Sequence, residues 1–147
     1  MTSSPAGGNA GDAARRFRTA LETAESPRLL GLRSFPKAAC GDASRLLAQY
    51  LRDRGFGEWT IVTAWRDGMS RTHAWLEQDG WLIDITADQF EDVSEPVIAT
   101  RRSDWHDGWE VRQPSTHSGG LAHYDSTCGA DEDYDRLSRL ADQLEAA

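Results

Sequence analysis

The stretch HAWLEQDGWLIDIT, His73 to Thr86, reads as two strands joined by a tight turn. Gln78-Asp79-Gly80 is the turn signal, because Asp-Gly accepts the positive φ angles that a two-residue hairpin requires. With Asp79-Gly80 as the turn, Gln78 faces Trp81, Glu77 faces Leu82, Trp75 faces Asp84 and His73 faces Thr86. Side chains alternate across a strand. His73, Trp75, Asp84 and Thr86 therefore share one face, and Ala74, Leu76, Ile83 and Ile85 share the other. A three-residue loop would put His73 and Asp84 on opposite faces. The two-residue register is favoured because it gathers the aliphatic side chains together. It makes His73 and Asp84 diagonal neighbours, roughly 7 Å apart between backbones and within reach of two side chains. Asp84 lies between two isoleucines, where a carboxylate needs a hydrogen-bond partner. An imidazole supplies one.

Upstream, FPKAACGDASRLLAQYLRDRGF carries the clearest helical pattern. Ala43, Leu46, Leu47, Tyr50 and Leu51 form one apolar stripe from about Cys40 to Arg54. Asp42 suits the positive end of the helix dipole. Gly55 suits the C-terminal cap. Cys40 opens this helix. A helix N-terminus carries partial positive charge and free N–H groups, which favour a thiolate and can hold an oxyanion. Gly41 leaves room for the backbone of a substrate. A thiol nucleophile needs a base, and an imidazole base needs a carboxylate to orient it. Cys40, His73 and Asp84 supply those three groups in chain order.

Around this centre the expected organisation is simple. Residues 1 to 10 are Ser-, Gly- and Ala-rich and are expected to be disordered. One domain is expected over residues 11 to 147, with its core at 35 to 90. Asp12 is expected to start a helix with Phe17, Ala20, Leu21 and Ala24 on its inner side. A short apolar segment runs from Leu29 to Leu32. Trp59 to Trp65 reads as a strand, Arg66 to Thr72 as a polar loop shaping a site entrance, and Pro96 to Ile98 as one more short strand. Residues 103 to 130 read as loop, with His106, His117 and His123 in it. Asp131 to Ala146 closes the chain as a helix with Tyr134, Leu137, Leu140, Ala141 and Leu144 on one side.

Composition narrows the function. The 147 residues are 27% charged and 39% hydrophobic, as in ordinary soluble domains. The net charge of −8 argues against a phosphate-backbone binder, so no nucleic-acid partner is expected. No apolar run is long enough for a bilayer, and no secretion signal is visible. A cytoplasmic protein with reduced thiols is expected, with Cys128 an ordinary loop thiol. The four histidines form no metal-binding spacing, and no metal or other cofactor is expected.

Cys40 at a helix start, HAWLE at 73 to 77 and the D-x-T of Asp84-Ile85-Thr86 resemble the core of the transglutaminase-like superfamily. That group of papain-like folds carries a Cys-His-Asp triad in this order. The resemblance covers residues 35 to 90. It implies an α+β fold, with a papain/transglutaminase-like core in which the Cys-bearing helix packs on a small antiparallel β-sheet, flanked by N- and C-terminal helices. By that match Cys40 is nucleophile, His73 general base and acid, and Asp84 the orienting carboxylate. The size and layout resemble small bacterial members, which include cysteine peptidases and leader peptidases of lasso-peptide pathways. The animal crosslinking enzymes have a G-Q-C-W-type segment where this chain reads AACGDAS. The upstream oxyanion side chain is therefore not identified.

The expected reaction is thiol-dependent acyl chemistry on an amide or peptide bond of a peptide, protein or small amide, with hydrolysis first. Amide-forming acyl transfer is an alternative. So is an inactive binding or adaptor module that keeps the triad as a hydrogen-bond cluster. Trp75 and Gln89 are further candidate substrate contacts, Trp75 as a wall of the site and Gln89 from the ADQF loop. The sequence assigns neither a substrate nor an oligomeric state.

Overall fold

A computed structural model describes residues 6–68, 71–111, 120–125 and 127–146. Over these residues the chain is α+β, with four α-helices and one small antiparallel sheet. The helices are α1 (Ala6–Thr23), α2 (Cys40–Asp53), the four-residue α3 (Asp104–Asp107) and α4 (Ala130–Ala146). The strands are β1 (Thr60–Arg66), β2 (Arg71–Gln78), β3 (Trp81–Asp84) and β4 (Ile98–Thr100). They lie side by side in chain order, each antiparallel to the next.

The β2–β3 turn is the two-residue turn. Asp79 and Gly80 have φ of 48° and 83°, and Gln78 pairs with Trp81, Glu77 with Leu82 and Leu76 with Ile83. The ladder stops there. The expected strand to Thr86 ends at Asp84, because Asp84 Oδ1 accepts the Thr86 N–H at 2.9 Å. That Asx turn bends the chain out of the sheet into a 3-10 turn over Ala87–Gln89. The strands part beside His73. The β1–β2 connection is also tighter than expected: Arg66, Arg71 and Thr72, expected in the loop, are paired in the ladder.

Ala74, Leu76, Ile83 and Ile85 face the main core, where they pack with Phe17 of α1, Leu46, Leu47 and Leu51 of α2, and Leu137 of α4. The helical stripe of α2 is buried as its spacing requires. Its end is closed by a Schellman pair, Phe56 N–H to Leu51 O at 2.9 Å and Gly55 N–H to Arg52 O at 3.1 Å, with Gly55 at φ 86°. The other sheet face carries Val62, Ala64 and Trp75. It is covered by Trp109, with Phe90 and Trp105 packed against it.

β4 runs from Ile98 to Thr100 where Pro96 to Ile98 was expected, because Asp84, Ile83 and Leu82 pair with Ile98, Ala99 and Thr100. Two further elements also differ from expectation. α1 begins at Ala6 rather than Asp12, so residues 6–10 are helical where disorder was expected; residues 1–5 lie outside the described residues. Packing overrides the weak helix propensity of this Gly-rich turn. Ala10, Ala13 and Ala14 are buried, and a Cβ at Gly11 would stand 3.0 Å from Ala99 of β4. Within the expected loop at 103 to 130, α3 and a 3-10 turn over Leu121–His123 are formed, and α4 starts at Ala130. No helix among the described residues is long and apolar enough to cross a membrane.

Arg18 of α1 fixes the segment after β3. The residue is 6% exposed. It donates to both carboxylate oxygens of Asp88 at 2.7 and 2.8 Å, to Ile85 O at 2.9 Å and to Pro96 O at 3.0 Å. Arg18→Met removes the cation and leaves Asp88 and two carbonyls without it. Breaking a buried pair in this way costs about 3–5 kcal/mol, which urea denaturation should read as a lower midpoint at unchanged slope.

Candidate active site

The centre is the Asp84 carboxylate, 1% exposed. Oδ2 accepts from His73 Nε2 at 2.6 Å and from His106 Nε2 at 2.7 Å, and Oδ1 accepts the Thr86 N–H at 2.9 Å. The pairing of His73 with Asp84 follows from the hairpin register. The approach of His106 does not. It comes from α3, where Ser103 caps the helix by accepting the His106 N–H at 3.2 Å. The Ser103 hydroxyl also lies 2.6 Å from His106 Nδ1. His106, expected in a solvated loop, is thus buried in the site. The signal for it was the Ser103 cap ahead of Trp105 and Trp109, two large aromatics in a polar stretch. His117 lies outside the described residues.

His73 is fully buried. Its ring sits among Phe90 at 5.1 Å, Trp109 at 5.5 Å, and Trp75 and Trp105 at 5.7 Å between centroids. The Arg66 guanidinium covers the outer side of this cage, 4.5 Å from the Trp109 ring. Trp75 is itself 2% exposed and donates from Nε1 to Glu77 at 2.9 Å. It supports the imidazole from within instead of presenting a face to solvent.

With Nε2 committed to Asp84, Nδ1 is the remaining ring nitrogen of His73. Gln89 Nε2 lies 3.4 Å from Nδ1. Cys40 is one of the groups that raise the His73 pKa. Cys40 is the first residue of α2, half-buried, and carries no disulfide; Cys128 is also free and donates to Asp125 O at 3.3 Å. The first helical bond of α2 is Ala43 N–H to Ala39 O, which leaves the N–H groups of Cys40, Gly41 and Asp42 without an intrahelical acceptor. A Cβ at Gly41 would meet the end of the Arg45 side chain at 3.2 Å. The Asp42 carboxylate is taken by the Tyr124 hydroxyl and, at 3.4 Å, by Arg45.

Burial opposes the imidazolium of His73. The hydrogen bond to Asp84 and the interaction with Cys40 outweigh it and raise its pKa to about 9. Burial likewise opposes the Asp84 carboxylate, and the hydrogen bonds from His106 and His73 hold it down at about 2. The two histidines and Asp84 could also be read as ligands of a metal, since their donor atoms lie within 4.8 Å of one another. Tetrahedral zinc at about 2.0–2.1 Å from each ligand would separate those atoms by about 3.3 Å. The observed 2.6 and 2.7 Å fit protons held between nitrogen and oxygen.

The chain matches no protein-family model, no curated protein and no solved structure.

These shifts set a pH dependence of stability. Asp84 is lowered from 3.8, so its contribution is present above pH 3.8 and is lost as pH falls towards 2. His73 is raised from 6.5, so its contribution is full below pH 6.5 and is lost as pH rises through 9. Thermal melts across pH should show falls on both sides of this window. In Cys40→Ala the alkaline fall should shrink, because one of the two partners that raise His73 is gone.

Proposed function

We propose that this chain carries out thiol acyl chemistry on an amide or peptide bond, with Cys40 as nucleophile, His73 as general base and acid, and Asp84 as the orienting carboxylate. The observation that carries this reading is the ring of His73. One nitrogen is tied to a buried carboxylate at 2.6 Å, and Cys40, at a helix start, is among the groups that raise the pKa of the same ring. A Cys-led helix packed on an antiparallel sheet supports a papain/transglutaminase-like core. The fold alone does not choose the reaction.

In the proposed cycle Nδ1 of His73 takes the Cys40 proton while Nε2–H stays on Asp84. The thiolate attacks the carbonyl carbon and the carbonyl π pair moves to oxygen. The tetrahedral intermediate collapses as the imidazolium protonates the leaving amine. Water, deprotonated by His73, then releases the acid from the thioester. Hydrolysis is preferred to transfer because no second-substrate site is recognised among the described residues. The aromatic cage keeps bulk water from the His73–Asp84 pair, which strengthens their interaction.

A second reading is favoured by one observation, the complete burial of His73. The cluster then only braces the sheet of a binding module. Alkylation by iodoacetamide at pH 6, located by mass spectrometry, separates the two. An ordinary thiol is almost wholly protonated at that pH. Fast labelling of Cys40 that drops at least about tenfold in His73→Ala supports the nucleophile. Slow labelling, unchanged in His73→Ala, overturns it. Cys40→Ala should retain its circular dichroism spectrum and lose all thiol-dependent ester and amide turnover.

A further inference from the structure

We propose that the Gln89 carboxamide is the second oxyanion donor of this site, acting together with the Cys40 backbone N–H. The inference rests on the thiol chemistry proposed above. Attack on a carbonyl places a full charge on oxygen, and sites that lower this barrier aim two N–H donors at it. The Cys40 N–H, which has no intrahelical acceptor, supplies one. The AACGDAS segment offers no side-chain amide before Cys40 to supply the other. Gln89 brings one from downstream. Its Nε2 lies 3.4 Å from His73 Nδ1, beside the nitrogen that exchanges its proton with Cys40.

With its pKa raised to about 9, His73 is an imidazolium at neutral pH. Its Nδ1 then carries a proton and has no lone pair to accept the Gln89 N–H, so the amide is left to donate to the substrate. Attack of the Cys40 thiolate forms the C–S bond and moves the carbonyl π pair to oxygen, and the Gln89 N–H donates to that oxygen. When the C–N bond breaks, the leaving amine takes the Nδ1 proton and the carbonyl re-forms.

Gln89 is held for this role by its backbone. It closes the 3-10 turn, its N–H bonded to Thr86 O at 3.1 Å. The adjacent Asp88 is gripped at both oxygens by the buried Arg18. The turn itself starts from the Asx bond of Asp84. The carboxylate that orients the base therefore also sets the turn that presents the donor. The Gln89 side chain is half-buried, in contrast to the fully buried imidazole.

The test compares two reactions of Cys40 in the full chain. Acylation by p-nitrophenyl acetate passes through an oxyanion. Alkylation by iodoacetamide is a displacement at saturated carbon and does not. In Gln89→Ala, acylation should slow by about 100-fold while alkylation changes by less than about twofold. Gln89→Glu, which replaces the donor by an anion, should slow acylation at least as much. Parallel loss of both reactions would assign Gln89 to orienting His73 and overturn the proposal. Unchanged acylation would overturn it too, as would wild-type protein that alkylates fast yet is not acylated. Failure of the underlying thiol reading shows separately, as slow wild-type alkylation that His73→Ala does not alter.

Discussion

A carboxylate buried to 1% exposure needs a donor for each lone pair it turns inward, and Asp84 draws three from three parts of the chain. His73 belongs to the neighbouring strand, Thr86 to the turn that follows, and His106 to a helix more than twenty residues on. Each bond does structural work. The first ties β2 to the end of β3. The second ends β3 and starts the turn carrying Gln89. The third anchors α3 and brings Trp105 and Trp109 over the sheet. An unpaired carboxylate here would be costly to bury, so the three donors and the carboxylate hold one another in place.

The sheet separates two environments. Its aliphatic face packs against α1, α2 and α4. Its aromatic face encloses the His73 ring, with Arg66 stacked on the outside. Cys40 sits at the start of a helix belonging to the first environment, yet is among the groups that raise the pKa of a ring belonging to the second. β2 and β3 part beside His73 because β3 is short, and β3 is short because of the Asx turn of Asp84.

Arg18 shows how distant parts of the chain support the same region. Its sequence context is an ordinary charged helix face, and nothing in the spacing marks it for burial. In the fold, it fills the acceptor needs of Asp88, Ile85 and Pro96 at once. A guanidinium suits this because its planar fork offers several donors in fixed directions.

What the sequence alone determined was local or periodic. The stripe of α2, its Gly55 cap, the Asp79-Gly80 turn and the shared face of His73 and Asp84 depend on residues a few positions apart, where backbone geometry dictates the neighbours. The place of His106, the burial of Trp75, the early start of α1 and the Arg18 clamp were decided by tertiary structure alone. Each depends on contacts between segments far apart in the chain, and no spacing rule reaches across them. His106 is the clearest instance: a histidine in a polar, turn-rich stretch resembles a solvated one until α3 folds over the sheet and offers its Nε2 to a carboxylate that has no water to turn to.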